Sequence, residues 1–144
     1  MQVRLAALAD YATTTEHGKL IIAGVMDTVI VRELPAAHPM MALAVRMVAE
    51  PGEARTHMLT MRLVDPDGLD VIPPVNGQIE FGTPHPTEGA RAQVVLNMPG
   101  VTFKVAGAHR MDILLDGRLE YSVDLFVRVV PEQPADGPEP TPES

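Results

Sequence analysis

Apolar and polar positions alternate with a period of two along most of this chain, and the alternation is plainest near its C-terminal end. His109, Met111 and Ile113 alternate with Arg110, Asp112 and Leu114, and after Asp116-Gly117 the series resumes as Leu119, Tyr121, Val123, Leu125, Val127 and Val129. That period belongs to strands with one buried face, and the Asp-Gly pair between them predicts a hairpin. A two-residue loop would set Leu115 across from Arg118 and Ile113 across from Glu120, placing apolar rows against charged ones. A three-residue loop, Leu115-Asp116-Gly117, with Gly117 left-handed beside a bulge, instead pairs Ile113 with Leu119 and Met111 with Tyr121. The sequence read alone favours that second register.

The same pattern predicts the other strands. Val3, Leu5 and Ala7 alternate with Gln2 and Arg4 in a first strand that ends at Asp10-Tyr11. After a polar connector closing on Gly18, the run from Lys19 to Val31 is almost continuously apolar and β-branched, as in a strand covered on both faces. Gly24 inside it marks a bulge or a close backbone approach. Leu34-Pro35 and His38-Pro39 bracket a loop, because the residue before proline is pushed to extended geometry and proline cannot donate to a ladder. Met41 to Ala49 is a strand with two largely apolar faces, and His57, Leu59, Met61 and Leu63 form the inward row of the next. Asp65-Pro66-Asp67-Gly68 predicts a bulged three-residue loop that sets Leu63 against Val71. A short edge strand near Gln78 to Phe81, a strand through Ala92 to Met98, and a Pro99-Gly100 turn into Val101, Phe103 and Val105 complete the series.

No segment sustains a helical period. About eight or nine short strands at roughly ten-residue spacing imply an all-β chain, an antiparallel β-sandwich, with immunoglobulin-like and jelly-roll connections both compatible. Residues 1–130 form the predicted domain. Residues 131–144 hold five prolines and four acids and no base, too little apolar surface to offset the entropy of ordering, so a disordered acidic tail is expected there.

Composition narrows the functional classes. The formal charge is −8, of which the tail carries four, and there are three Phe, two Tyr and no Trp. An acidic chain with few stacking rings is expected to bind no nucleic acid. The absence of cysteine excludes a disulfide framework, a thiolate zinc site and a cysteine nucleophile, and favours a reducing compartment. The apolar start breaks at Asp10, too short for a membrane span, so a cytoplasmic protein with no membrane partner is expected.

Four landmarks occur together: Asp10-Tyr11-Ala12, then Gly18-Lys19-Leu20-Ile21-Ile22-Ala23-Gly24 followed by Asp27, Leu34-Pro35, and the late Ile113-Leu114-Leu115-Asp116-Gly117 turn. Over about residues 2 to 130 this resembles a bacterial domain-of-unknown-function family, the one numbered 6941. Ahead of the last hairpin the chain departs from that pattern, with Ala108, His109 and Met111 where a glycine and an aromatic are expected. The resemblance implies a β-sandwich in bacterial cytoplasm and brings no activity and no catalytic residue.

Candidate chemistry is sparse. His57 and His109 fall on predicted inward rows and would need to meet across strands, with a carboxylate, to hold a metal; no two histidines have ligand spacing on one element. Asp65-Pro66-Asp67-Gly68 contains a fragment of a calcium loop without its terminal Glu, and a strand turn accounts for every residue in it. Serine-nucleophile and phosphate-loop motifs are absent. No catalytic residue, metal or cofactor is therefore assigned. The best binding candidates are Asp10, Tyr11, Lys19 and Asp27, which cluster where strands begin and end, together with Arg46 and His57. The bland alternative is a corner with Tyr11 packed inside and Lys19 paired with Asp10 or Glu16.

Ile21, Ala23, Val25, Ala42, Ala44 and Val48 give two strands a second apolar face that a loop or another subunit must cover. The sequence thus predicts a non-enzymatic protein-interaction or assembly module, as a homodimer or with an unidentified protein partner. The alternative is a small-ligand or enzymatic domain with its site near the first strand-loop-strand unit.

Overall fold

In the computed structural model, which describes residues 1–53, 55–83 and 85–131, every regular element is a strand. The elements are β1 (Gln2–Thr14), β2 (Leu20–Met26), β3 (Thr28–Val31), β4 (Ala36–Ala49), β5 (Thr56–Val64), β6 (Val75–Glu80), β7 (Ala90–Phe103), β8 (Gly107–Leu115) and β9 (Arg118–Val129). They form a four-stranded sheet in the order β2-β1-β4-β7 and a five-stranded sheet in the order β3-β9-β8-β5-β6. Inward rows of both sheets meet in one apolar cluster: Leu8, Met41, Leu43, Val45 and Met47 from the first, Leu63, Met111, Ile113, Leu125 and Val127 from the second. The all-β expectation holds. Of the tail predicted over 131–144, residues 132 onward fall outside the described residues.

The run Lys19 to Val31 is divided rather than continuous. Its first part, β2, is the edge of the four-stranded sheet, where Ile21 is 46% and Val25 69% exposed, and not a strand covered on both faces. At Asp27 the chain crosses to the other sheet, and β3 pairs with β9 in parallel, Thr28 beside Phe126 and Val31 beside Val129. That pair corrects the purely antiparallel expectation. Gly24 does mark a close approach: its φ is +72°, and a Cβ placed there would stand 2.3 Å from Asp10 Oδ2.

The two hairpin turns behave differently. Between β5 and Val71, Gly68 N–H donates to Asp65 O and Val71 N–H donates to Leu63 O, which is the predicted register. Asp65 Oδ1 accepts from the N–H groups of Asp67 and Leu69, a carboxylate engaged in closing a turn. In the last hairpin the loop is the two-residue Asp116-Gly117, both residues at positive φ (51° and 80°), as a type I′ turn requires. Leu115 does face Arg118 and Leu114 faces Leu119. The conflict of faces is relieved by a bulge between Ile113 and Leu114, after which Ile113 pairs with Tyr121, Met111 with Val123 and His109 with Leu125. The slip of one residue needed by the pattern thus lies inside the strands rather than at the turn. In consequence Leu119 is exposed, Tyr121 sits at the rim, and the dry row begins at Leu125.

Pro99-Gly100 does not reverse the chain. β7 runs straight through it, with Met40 beside Pro99 and His38 beside Val101. β4 likewise begins at Ala36 and passes through Pro39, where a loop was expected. The two prolines remove ladder donors at neighbouring rungs without shifting the register, and Gly100 takes up a φ of +65°.

The second apolar face of β4 is covered from within the chain. Ala42 and Ala44 are fully buried in a small separate cluster with Ala12, against which Leu20, Ile22 and Val95 pack. Two of the six residues that the sequence assigned to a second apolar face are thereby covered within the chain.

Candidate functional site

The six sequence-predicted residues fall in separate places. Asp10 and Tyr11 lie on β1, Asp10 over Gly24 and Tyr11 54% exposed, so the packed-in tyrosine corner does not form. Lys19 is exposed at the end of a turn closed by Thr15 N–H to Lys19 O, and it makes no ion pair with Asp10 or Glu16. Asp27 marks the crossing between sheets: its carboxylate accepts from Thr28 Oγ1 at 3.0 Å and its carbonyl from Phe126 N–H at 2.8 Å. Arg46 is half-buried on β4. His57 belongs to the other sheet, on β5.

His57 and His109 do not meet. The β5–β8 register places Leu59 beside Leu115 and Leu63 beside Met111, so the two imidazoles are about 25 Å apart along the sheet. His109 is buried, with Nδ1 donating to Gly107 O at 3.0 Å and its ring edge-on to Phe103. Among the described residues no cluster of His, Asp or Glu has a metal-binding arrangement.

His57 is instead tied to the last turn. Its Nδ1 lies 2.6 Å from Asp116 Oδ2, and Asp116 Oδ1 accepts from Met58 N–H at 2.9 Å. Those bonds, the His57 bond first, hold the Asp116 carboxyl below the usual carboxylate range. The outer face of the five-stranded sheet carries two further charged pairs, Arg62 with Asp70 and Arg110 with Asp112, and Ser122 Oγ donates to Asp112 at 2.7 Å.

Two concave regions occur on the outer face of the four-stranded sheet. One, of about 570 Å³, is lined by Thr14, Gly18, Arg46, Arg91, Ala92 and Gln93. Its neighbour, of about 580 Å³, shares Arg46 and Arg91 and adds Arg4, Leu5, Val48, Thr87 and Glu88. Arg46 Nε donates to Gln93 Oε1 at 2.7 Å, and Gln93 Nε2 donates to Gly18 O at 2.7 Å, which ties the turn before Lys19 to β7. Of these residues the sequence reading singled out only Arg46. Arg91 and Gln93 were visible as the polar row of their strand, but only the β4–β7 register, with Arg46 beside Gln93 and Val48 beside Arg91, brings them to it.

The sheet margins differ in how they are guarded. β2 carries Gly24 at a φ of +72°, β3 has only four residues, and β6 follows Pro73-Pro74 and contains Gly77. Within β7 the stretch from Ala92 to Met98 has no charge, proline or glycine, and on one side β7 has no strand partner among the described residues.

A model for a family of unknown function, DUF6941, matches residues 4–128. The chain belongs to that family. The match reaches all nine strands, from within β1 to the penultimate residue of β9. No curated protein matches this chain. Among solved structures it is similar to the Pseudomonas fluorescens alkylpurine DNA glycosylase AlkC bound to DNA containing an abasic site analog, at 10% identity and a TM-score of 0.45. The likeness covers 86% of this chain and 30% of the glycosylase chain. The expected exclusion of nucleic acid is corrected accordingly: that neighbour is bound to DNA, and the exclusion is withdrawn. A likeness of this size carries no argument about what a DUF6941 protein itself binds. No helix among the described residues is long and apolar enough to cross a membrane.

Proposed function

We propose that this protein is a non-enzymatic protein-interaction module that accepts an extended segment of a partner polypeptide at the free margin of β7. The observation that carries the reading is the uncharged stretch Ala92 to Met98. Soluble proteins blunt such margins with charge, proline, glycine or short length, and the other three margins carry such features, whereas on β7 they fall outside 92–98, at Arg91 and Pro99-Gly100. A margin left straight and uncharged offers unpaired N–H and C=O groups to an incoming strand, which supplies affinity, while side chains at alternate positions supply selectivity. The segment suited to it is extended, with apolar residues at every second position to continue the row of Val94 and Leu96. Absence of cysteine supports a reducing, cytoplasmic setting.

The rival, a ligand or enzymatic site on Asp10, Lys19, Asp27, Arg46 and His57, requires those side chains to converge, and they are distributed over both sheets. Selection of peptides from a displayed random library against the full chain tests the reading. Binders are expected to protect the amides of 92–98 from hydrogen exchange, and Asn97→Lys, which adds a guarding charge at an exposed position, is expected to abolish their binding. Binders that protect another region and tolerate the lysine would overturn it.

A further inference from the structure

We infer that the hollow between Arg46 and Arg91 binds the phosphate group of a small organic phosphate, independently of any strand added at β7. Three arginines far apart in sequence are brought to one corner by pairing alone. Leu5 lies beside Arg46, Arg46 beside Gln93, and Val48 beside Arg91. A bulge between Val3 and Leu5 falls at Arg4, and a bulge re-aims the side chain it carries. A chain of net charge −8 therefore concentrates three guanidinium groups around two adjoining hollows.

How those groups are partnered separates them from the structural arginines. Arg62 and Arg110, on the opposite sheet, each have a carboxylate within 3.1 Å. Arg46 has the neutral amide of Gln93, itself anchored on Gly18 O, so its fork is held in place without being neutralised. Arg4 and Arg91 are exposed and make no ion pair with a described residue. Like charges left together in this way repel one another, and an oxyanion between them relieves that repulsion while taking paired N–H donors from a pre-set guanidinium.

The phosphate belongs in the hollow lined by Arg46, Arg91 and Thr14, which has no acidic wall, whereas Glu88 lines the neighbouring one. The Thr14 hydroxyl is a further donor. A volume of about 570 Å³ is far more than one phosphate fills, which leaves room for an organic body over Ala92 and toward Leu5 and Val48.

Titration of the full chain with pyrophosphate, followed by amide chemical shifts at constant ionic strength in chloride, tests this. Saturable shifts are expected at Thr14, Gly18, Arg91 and Gln93. Arg91→Ala, at an exposed position, is expected to keep the wild-type melting temperature and to weaken binding at least about tenfold, which is about 1.4 kcal/mol. Arg46→Gln should weaken binding likewise, and Arg110→Ala should leave binding unchanged. Unsaturable shifts, or equal binding by Arg91→Ala, would overturn the assignment. So would saturation by a single-stranded oligonucleotide but not by pyrophosphate.

Discussion

Asp116, at a positive φ in the last turn, reaches back to His57 at the start of β5: its Oδ2 stands 2.6 Å from the imidazole Nδ1. With Met58 N–H on the other oxygen and Asp116 N–H donating to Met58 O, one turn residue fastens the β8–β9 hairpin to its neighbouring strand.

This contact has a pH signature. The carboxyl of Asp116 is held below its ordinary range in the folded chain, so the unfolded chain binds its proton first as pH falls. The contribution is present above about pH 4 and is lost as pH drops through the folded-state value. Asp116→Asn preserves the left-handed turn, since Asn-Gly is also favoured there, and removes the charge. Urea midpoints between about pH 6 and pH 2.5 should show the variant less stable at the upper end and the gap closing toward the lower. Parallel pH profiles for the two proteins would show that Asp116 is not linked to folding.

Gly24 and Asp10 should couple. Gly24→Ala introduces a Cβ at positive φ, costing about 1–2 kcal/mol, and also pushes on Asp10. Gly117→Ala, at positive φ with open space around it, carries only the backbone cost. Thermal denaturation should therefore rank Gly24→Ala as the more damaging. In an Asp10→Ala background its excess over Gly117→Ala should shrink, leaving the backbone share.

Burial predicts contrasting effects for two leucines, and the second of them tests the register of the last hairpin. Leu43, fully buried at the centre of the four-stranded sheet, should lose about 3–5 kcal/mol on truncation to alanine. Leu119, 58% exposed beside Leu114, should change stability by less than about 0.5 kcal/mol. A large loss at Leu119 in chemical denaturation would place it inward and favour the three-residue loop.

On the outer face of the five-stranded sheet, Asp112 is nearly buried and accepts from both Arg110 Nε and Ser122 Oγ. Asp112→Ala should cost about 1–3 kcal/mol, because it leaves the Ser122 hydroxyl without its partner. Arg110→Ala removes a partner on the exposed side and should cost less than about 1 kcal/mol. Comparable losses in urea unfolding would mean that the exposed ion pair, rather than the serine, carries the stabilisation.

What was legible in the sequence follows from the range of the interactions involved. The β5 turn was read to the residue because Asp65, Pro66 and Gly68 settle it among themselves. In the last hairpin the period showed that one residue had to be absorbed, but its position depends on how Ile113 packs against both sheets, which local spacing does not contain. The break at Asp27 carried no proline or glycine signal, since the chain there leaves one sheet for the other without turning back. Arg46 was picked out, while Arg91 and Gln93 were not, because they reach it only through a strand pairing across more than forty residues. Asp116 was read as a turn residue, and its hold on His57 likewise depends on a distant strand.

The parallel seam between β3 and β9 joins Thr28 to Phe126 and Val31 to Val129. During translation, roughly a hundred further residues must therefore be made before Thr28–Val31 finds its neighbour. Until then its backbone donors are held by water alone, and closing about a hundred residues of chain makes this a late step in maturation. A chain cut short just before Phe126 would be left with β3 orphaned rather than with a slightly shorter fold.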